Sequence, residues 1–197
     1  LFHKMDVLDV NHLESVVKEN QVSEIYLLAA LLSAVSEQKI RSAWDLNMNG
    51  LFNVLELARS GTIERVFWPS SIAVFGPSSP KKSTPQNAIL EPTTVYGISK
   101  CAGERWCDYY FKKFGVDVRS IRYPGIISYK SKPGGGTTDY AVEIFHEALA
   151  NSKYTCFIDK DIYLPMMYMD DAIRATIELM QVEKGVFTTF KSYNVSA

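Results

Sequence analysis

A chain of 197 residues is long enough for one domain with a substantial core, and 47% hydrophobic with 22% charged content is ordinary for a soluble globular protein. A formal charge of -1 argues against nucleic acid or an anionic membrane as partner, and no apolar run approaches the roughly 20 residues a spanning helix needs. The three cysteines, Cys101, Cys107 and Cys156, lack metal-ligand spacing and read as buried thiols of a reducing compartment.

Apolar runs of strand length alternate with longer helix-like stretches, the pattern of a parallel α/β sheet. Glu24 to Ala30 reads as a buried strand. Ala43 to Arg59 reads as a helix with Leu46, Leu51, Val54, Leu55 and Ala58 on its inner face and Gly61 as its stop. Arg65 to Pro69 is the next strand and runs into Ser70-Ser71. Ala73-Val74-Phe75-Gly76 and a loop rich in Pro and Ser follow. Val95 to Phe114 reads as a helix closed by Gly115, and Val116 to Tyr123 alternates as a strand before Pro124-Gly125. Beyond it, Lys130 to Gly136 is a polar loop and Thr137 to Ala150 a helix. Tyr154 to Ile158 and Ile162 to Met169 are short extended candidates, Asp170 to Gln181 is a helix, and Val186 to Val195 is a final extended stretch.

The chemistry concentrates in Tyr96-Gly97-Ile98-Ser99-Lys100. Tyr96 and Lys100 are one helical turn apart, so both project from one face. An ammonium beside a phenol favours the phenolate and lowers the tyrosine pKa from about 10. Ser71, at the end of the preceding strand, can hold a substrate oxygen against that phenol, and Ser70 is the weaker candidate. Tyr-x-x-x-Lys also arises by chance in helices; the order strand, serines, loop, tyrosine helix gives it weight.

That order resembles the extended short-chain dehydrogenase/reductase superfamily, which includes nucleotide-sugar epimerases. The longer segments Trp68 to Pro77, Gly134 to Ala141, Arg122 to Ser128 and Leu164 to Ala172 are similar, more narrowly, to the short-chain type of L-threonine 3-dehydrogenase. The resemblance implies a Rossmann-type doubly wound parallel sheet with a small C-terminal substrate lobe. Residues 1–128 would form the NAD-binding domain, and 129–197 would be mainly lobe, interleaved with the sheet. It implies NAD as cofactor, L-threonine as substrate, oxidation of its 3-hydroxyl to 2-amino-3-oxobutyrate, and a homodimer. The compartment would be the cytoplasm, or the mitochondrial matrix in a eukaryote. Tyr96 would be the general base, assisted by Lys100 and Ser71.

By the same resemblance Asp6 and Val7 mark a strand end near the adenine, Leu28, Ala29 and Ala30 line the cofactor, and Asn47 steadies the central strands. Ser70, Tyr123 and Ile126 are further cofactor candidates, and Ser33 is a substrate candidate. Gly134-Gly135-Gly136-Thr137-Thr138-Asp139 opening a helix suits a carboxylate, with free N–H groups, two hydroxyls, and Asp139 for an ammonium. A capped helix after a glycine loop is the plainer reading of that segment.

A dinucleotide fold opens on a glycine-rich turn, and no G-x-x-G-x-x-G occurs here. Either the first unit lies outside this sequence, as the start at Leu1 suggests, or the protein binds no dinucleotide. Three rivals therefore stand: threonine dehydrogenase, nucleotide-sugar epimerase or dehydratase, and a degenerate non-catalytic relative. The stretch Tyr163 to Asp170 lacks the arginine that sugar-nucleotide relatives use to hold a diphosphate, which favours a small substrate. His3, His12 and His146 are scattered, so no metal is expected, and Met166, Met167 and Met169 read as packing.

Overall fold

The computed structural model describes residues 2–130, 136 and 138–195. Helix α1 (Val10–Glu19) opens on Asp9, whose carboxylate accepts from the His12 amide, and it buries Leu13 and Val17. Strand β1 (Glu24–Tyr26) leads to α2 (Ser33–Gln38), α3 (Ile40–Trp44) and α4 (Gly50–Arg59), the last two joined through a π-turn over Asp45–Asn49. Strands β2 (Arg65–Phe67) and β3 (Ser70–Ser71) precede the long α5 (Val95–Phe114). Thereafter come β4 (Asp117–Tyr123), β5 (Gly125–Ile127), α6 (Tyr140–Asn151), β6 (Met166–Tyr168), α7 (Met169–Gln181) and β7 (Ser192–Asn194).

The main sheet is parallel, with β1, β2, β4 and β3 side by side in that order and β7 also paired to β4. β5 and β6 form a second, two-stranded parallel sheet. Alternate residues of β4 serve opposite faces. Val118 joins Leu51, Val54, Leu55 and Cys107, from α4 and α5. Ile121 packs against Phe67 and against Met180 of α7. Helices thus cover both faces, and the Rossmann-type α/β reading holds. Among the described residues no helix is long and apolar enough to cross a membrane.

Several boundaries differ from the sequence reading. The first strand stops at Tyr26 instead of Ala30, because among the described residues β1 is paired on one side only, by β2, and that ladder ends where the Leu27 amide donates to the Phe67 carbonyl. Leu28 and Ala29 are exposed rather than buried. Met5 to Val7 form no strand, since none among the described residues pairs with them. The helix expected from Ala43 begins at Ile40 and is broken by the π-turn. The helix expected from Thr137 begins at Tyr140, residues 154–158 form no strand, and the last two extended stretches shrink to β6 and β7. Cys107 alone of the three thiols is buried; Cys101 is half-buried and Cys156 exposed.

Candidate active site

The start of α5 is held from two sides. The Thr94 hydroxyl accepts the Gly97 amide at 3.0 Å, and Glu37 of α2 accepts the Val95 amide at 2.7 Å. A side chain at Gly97 would strike the Ala73 carbonyl, so glycine is what lets this helix end sit against the turn after β3. That turn, Ile72–Val74, is capped by Ser71, whose hydroxyl accepts from the Ala73 amide at 3.2 Å. The same hydroxyl stands near enough to the Tyr96 phenol to favour its phenolate form.

Tyr96, Lys100 and Glu104 recur every fourth residue along the face of α5 turned to the sheet. Lys100 is buried, donates to the Pro69 carbonyl at 2.5 Å, and lies 4.5 Å from the centre of the Trp68 ring and 5.6 Å from that of Tyr96. Below it Glu104 accepts from Ser70 at 2.6 Å and from Arg122 through both carboxylate oxygens, at 2.8 and 2.7 Å. Arg122 also donates to the Gln86 carbonyl at 3.0 Å and to Asn194 at 3.1 Å.

Burial pushes the Tyr96 phenol up to about 12, against the Ser71 hydroxyl, which favours the phenolate. Burial likewise brings Lys100 down to about 8, with Cys107 and Glu104 acting in the opposite direction. The expectation that Lys100 would bring Tyr96 below its free value is corrected: desolvation outweighs every favourable contact, and the ammonium donates to the Pro69 carbonyl, not to the phenol.

The other candidates divide. Asn47, in the π-turn, is buried; its side-chain oxygen accepts the Leu31 amide at 2.9 Å, and its nitrogen donates to the Leu31 carbonyl at 3.1 Å and to Ser99 at 3.2 Å, so it fixes the chain beyond β1 against α5. Leu28 and Ala29 are exposed and Ala30 half-buried beyond the end of β1. Ser70 and Ser71 pair with Arg122 and Tyr123 across β3 and β4. The Ser70 hydroxyl donates to Glu104, and the Tyr123 hydroxyl is engaged with Thr176 of α7. Ile126 lies in the second sheet opposite Met167. Met167 itself is buried, so it packs as expected.

Asp6 is exposed and accepts the Leu8 amide, while Val7 offers its carbonyl to Asn53 and packs on the core. Ser33 begins α2, which packs on α5. Thr138 lies against Gly125, where a Cβ would collide with it, and Asp139 accepts the Gly136 amide at 2.6 Å. That bond uses one N–H expected to serve a carboxylate ligand. Gly134, Gly135 and Thr137 lie outside the described residues. Sequence reasoning missed Glu104, Arg122 and Gln86. The fourth-residue repeat from Tyr96 through Lys100 was the available signal for Glu104.

A family model described as the NAD dependent epimerase/dehydratase family matches residues 1–195. The chain belongs to this family. An epimerase/dehydratase of Staphylococcus haemolyticus described as uncharacterised is 52% identical over 196 residues, covering 100% of this chain and 61% of that relative. The chain therefore spans about three fifths of the length of the curated relatives it matches. Among solved structures, a partial consensus L-threonine 3-dehydrogenase is 56% identical with a TM-score of 0.95, over 100% of this chain and 64% of that one. The holo form of a GalE-like L-threonine dehydrogenase from Cupriavidus necator is 56% identical with a TM-score of 0.95, over 99% and 63% of the two chains. A monomeric L-threonine 3-dehydrogenase from a metagenome, in apo form, is 52% identical with a TM-score of 0.94, over 100% and 63%. The resemblance to L-threonine 3-dehydrogenases is borne out. The homodimer expectation gains no support, since one of these relatives is titled monomeric.

Proposed function

We propose that this family member is an NAD-dependent L-threonine 3-dehydrogenase with Tyr96, Lys100 and Ser71 as its catalytic residues. The observation that carries the reading is the Tyr96 phenol, whose phenolate form the Ser71 hydroxyl favours, with Lys100 buried 5.6 Å from its ring centre, in a chain 47 to 56% identical to solved proteins titled threonine dehydrogenases.

The residues present fit the cofactor. Parallel strands bring the segment after β1, Ser71 and Tyr123 to one edge of the sheet, the carboxyl edge where open α/β folds bind ligands. Leu28 and Ala29 offer an open apolar wall there. An ammonium has three N–H groups; Lys100 gives one to Pro69 and keeps others for a ribose hydroxyl. NAD, when bound, supplies the hydride acceptor.

Tyr96 takes the proton of the 3-hydroxyl, and Ser71 holds that oxygen while charge develops on it. The phenol is protonated at pH 7 before reaction, so it must first give its own proton to solvent; the Ser71 hydroxyl and the nearby Lys100 ammonium stabilise the phenolate that then accepts the 3-hydroxyl proton. Thr138, with Thr137, serves the substrate carboxylate, and Asp139 its ammonium. The division into an NAD-binding part over residues 1–128 and a lobe over 129–197 belongs to the same proposal.

The test is NADH absorbance of the full-length protein supplied with L-threonine and NAD. Tyr96→Phe should lower kcat by about 10²- to 10⁴-fold while NAD still binds; turnover like that of the unaltered protein would eliminate the phenol as base. The rival reading, a nucleotide-sugar epimerase, is favoured by the family description and by the names of the curated relatives. Conversion of a UDP-sugar, followed by chromatography, without threonine oxidation would establish it instead.

A further inference from the structure

Behind the proposed catalytic groups lies a buried polar node that the mechanism does not use. Glu104 is 4% exposed and Arg122 6% exposed, both inside the interface between α5 and the sheet. One carboxylate oxygen of Glu104 receives both the Ser70 hydroxyl and the Arg122 Nε, and the other receives an Arg122 Nη. Ser70 and Arg122 are paired neighbours on β3 and β4, and each is followed by a residue of the site edge, Ser71 and Tyr123. The carboxylate therefore ties the tyrosine helix to both strand ends at once. Because Tyr96, Lys100 and Glu104 share one helical face, the tie sets the height of the phenol relative to Ser71.

We propose that Glu104 is a positioning residue for the Ser71–Tyr96–Lys100 site, acting through Ser70 and Arg122 on the two strand ends and through its charge on Lys100. The proposal rests on the dehydrogenase reading above. The groups facing Lys100 are Tyr96, Glu104 and Cys107 from its own helix, and the Pro69 carbonyl and Trp68 ring from the strand side. Arg122 stands beyond Glu104 on β4. Glu104 is thus the carboxylate that favours the ammonium form of Lys100.

Glu104→Gln keeps the shape and removes the charge. In the full-length enzyme it should lower kcat for L-threonine by about 10- to 100-fold, the cost of a catalytic group displaced by around an ångström, with the KM for L-threonine changed far less. The alkaline limb of the rate profile should move to lower pH by about one unit as Lys100 loses its anionic neighbour. Glu104→Asp, which keeps the charge on a shorter arm, should return the limb towards its original pH while kcat stays depressed. A kcat equal to that of the unaltered enzyme, or a fall in kcat with an unmoved limb, overturns the proposal. Should Glu104→Gln not fold, Ser70→Ala tests the mechanical link alone: kcat should fall while the limb stays, and an unchanged kcat overturns it. A substrate-free measurement separates this from the functional reading. With ¹³Cε-labelled lysine, and the Lys100 signal assigned by Lys100→Arg, Glu104→Gln should shift the Lys100 titration to lower pH. If the unaltered protein ignores threonine, the dehydrogenase reading fails and that titration still decides the charge coupling; no shift there overturns it.

Discussion

Gly103→Ala should destabilise the protein although it places the best helix former in the middle of a 20-residue helix. On an exposed helix the change gains about 1 kcal/mol. At Gly103, however, a Cβ would come closer than 3.0 Å to two atoms of the Trp68 indole and within 3.2 Å of a Leu51 methyl. Trp68 cannot swing aside freely: it is 3% exposed, its amide donates to Arg119 at 2.9 Å, and Lys100 sits on its ring. Overpacking of this kind costs about 1–3 kcal/mol, and a stiff, enclosed ring belongs at the upper end. Subtracting the propensity gain leaves a net loss of about 2 kcal/mol. Urea denaturation of the full-length protein, read as a lowered midpoint with unchanged slope, measures it. The control is the same substitution in a Trp68→Leu background, where the collision is gone and alanine should be neutral or stabilising. A stabilised Gly103→Ala, or an equal loss in both backgrounds, would refute the packing argument.

Two further outcomes follow from the same contacts, beside those already given for Tyr96 and Glu104. Lys100 is brought from 10.5 to about 8 in the fold, so between those values the unfolded chain holds more protons and this group adds stability as pH rises. From pH 8 to 9.5 the unaltered protein should gain about 1.5 kcal/mol over Lys100→Met, and a constant difference across that window would contradict a depressed lysine. Gln86 donates to the Ser192 carbonyl at 2.7 Å and accepts the Asn194 amide at 2.9 Å, joining the loop between β3 and α5 to β7. Gln86→Ala should cost about 1–3 kcal/mol and speed proteolysis within residues 76–93; unaltered cleavage would show that the loop is held elsewhere.

The parts of this fold that could be read from sequence are those whose ends carry their own chemistry. Helix α5 runs from Val95 to Phe114 as expected because Thr94 caps one end and Gly115, at φ 68°, closes the other. The first strand reads too long because an apolar run reports burial, and Leu28 continues the run where, among the described residues, no neighbour takes up the ladder. In the site, Tyr96, Lys100 and Ser71 were legible through spacing and order. The direction of the Tyr96 shift was not, since a spacing argument counts the nearby charge and omits desolvation. Glu104, Arg122 and Gln86 were illegible for a related reason: sequence patterning assigns charged and amide groups to the surface, and only long-range pairing makes their burial tolerable.

Strand β4 shows why that pairing matters for the site. A central parallel strand normally reads as an apolar run, yet here Asp117, Arg119, Ser120 and Arg122 are all buried. The two arginines serve opposite faces. Arg119, paired with Asp117, donates to the Leu179 and Met180 carbonyls near the end of α7, which has no basic residue of its own in its last turn. Arg65 from β2 adds a third bond, to Met180. Guanidinium groups there satisfy orphan carbonyls and oppose the negative end of the helix dipole. Arg122 faces the other way and holds α5 through Glu104. Apolar packing alone would stabilise such a strand as well or better, but it tolerates sliding of a helix along a smooth face. The bidentate Arg122–Glu104 pair does not, because displacement of α5 strands a buried ion at a cost of about 3–5 kcal/mol, while displacement of α7 leaves its end carbonyls and the arginine N–H groups without partners. Packing with charges on both faces of one strand therefore fixes the tyrosine helix and α7 to a common reference, and that reference ends at Tyr123, the residue paired with Ser71.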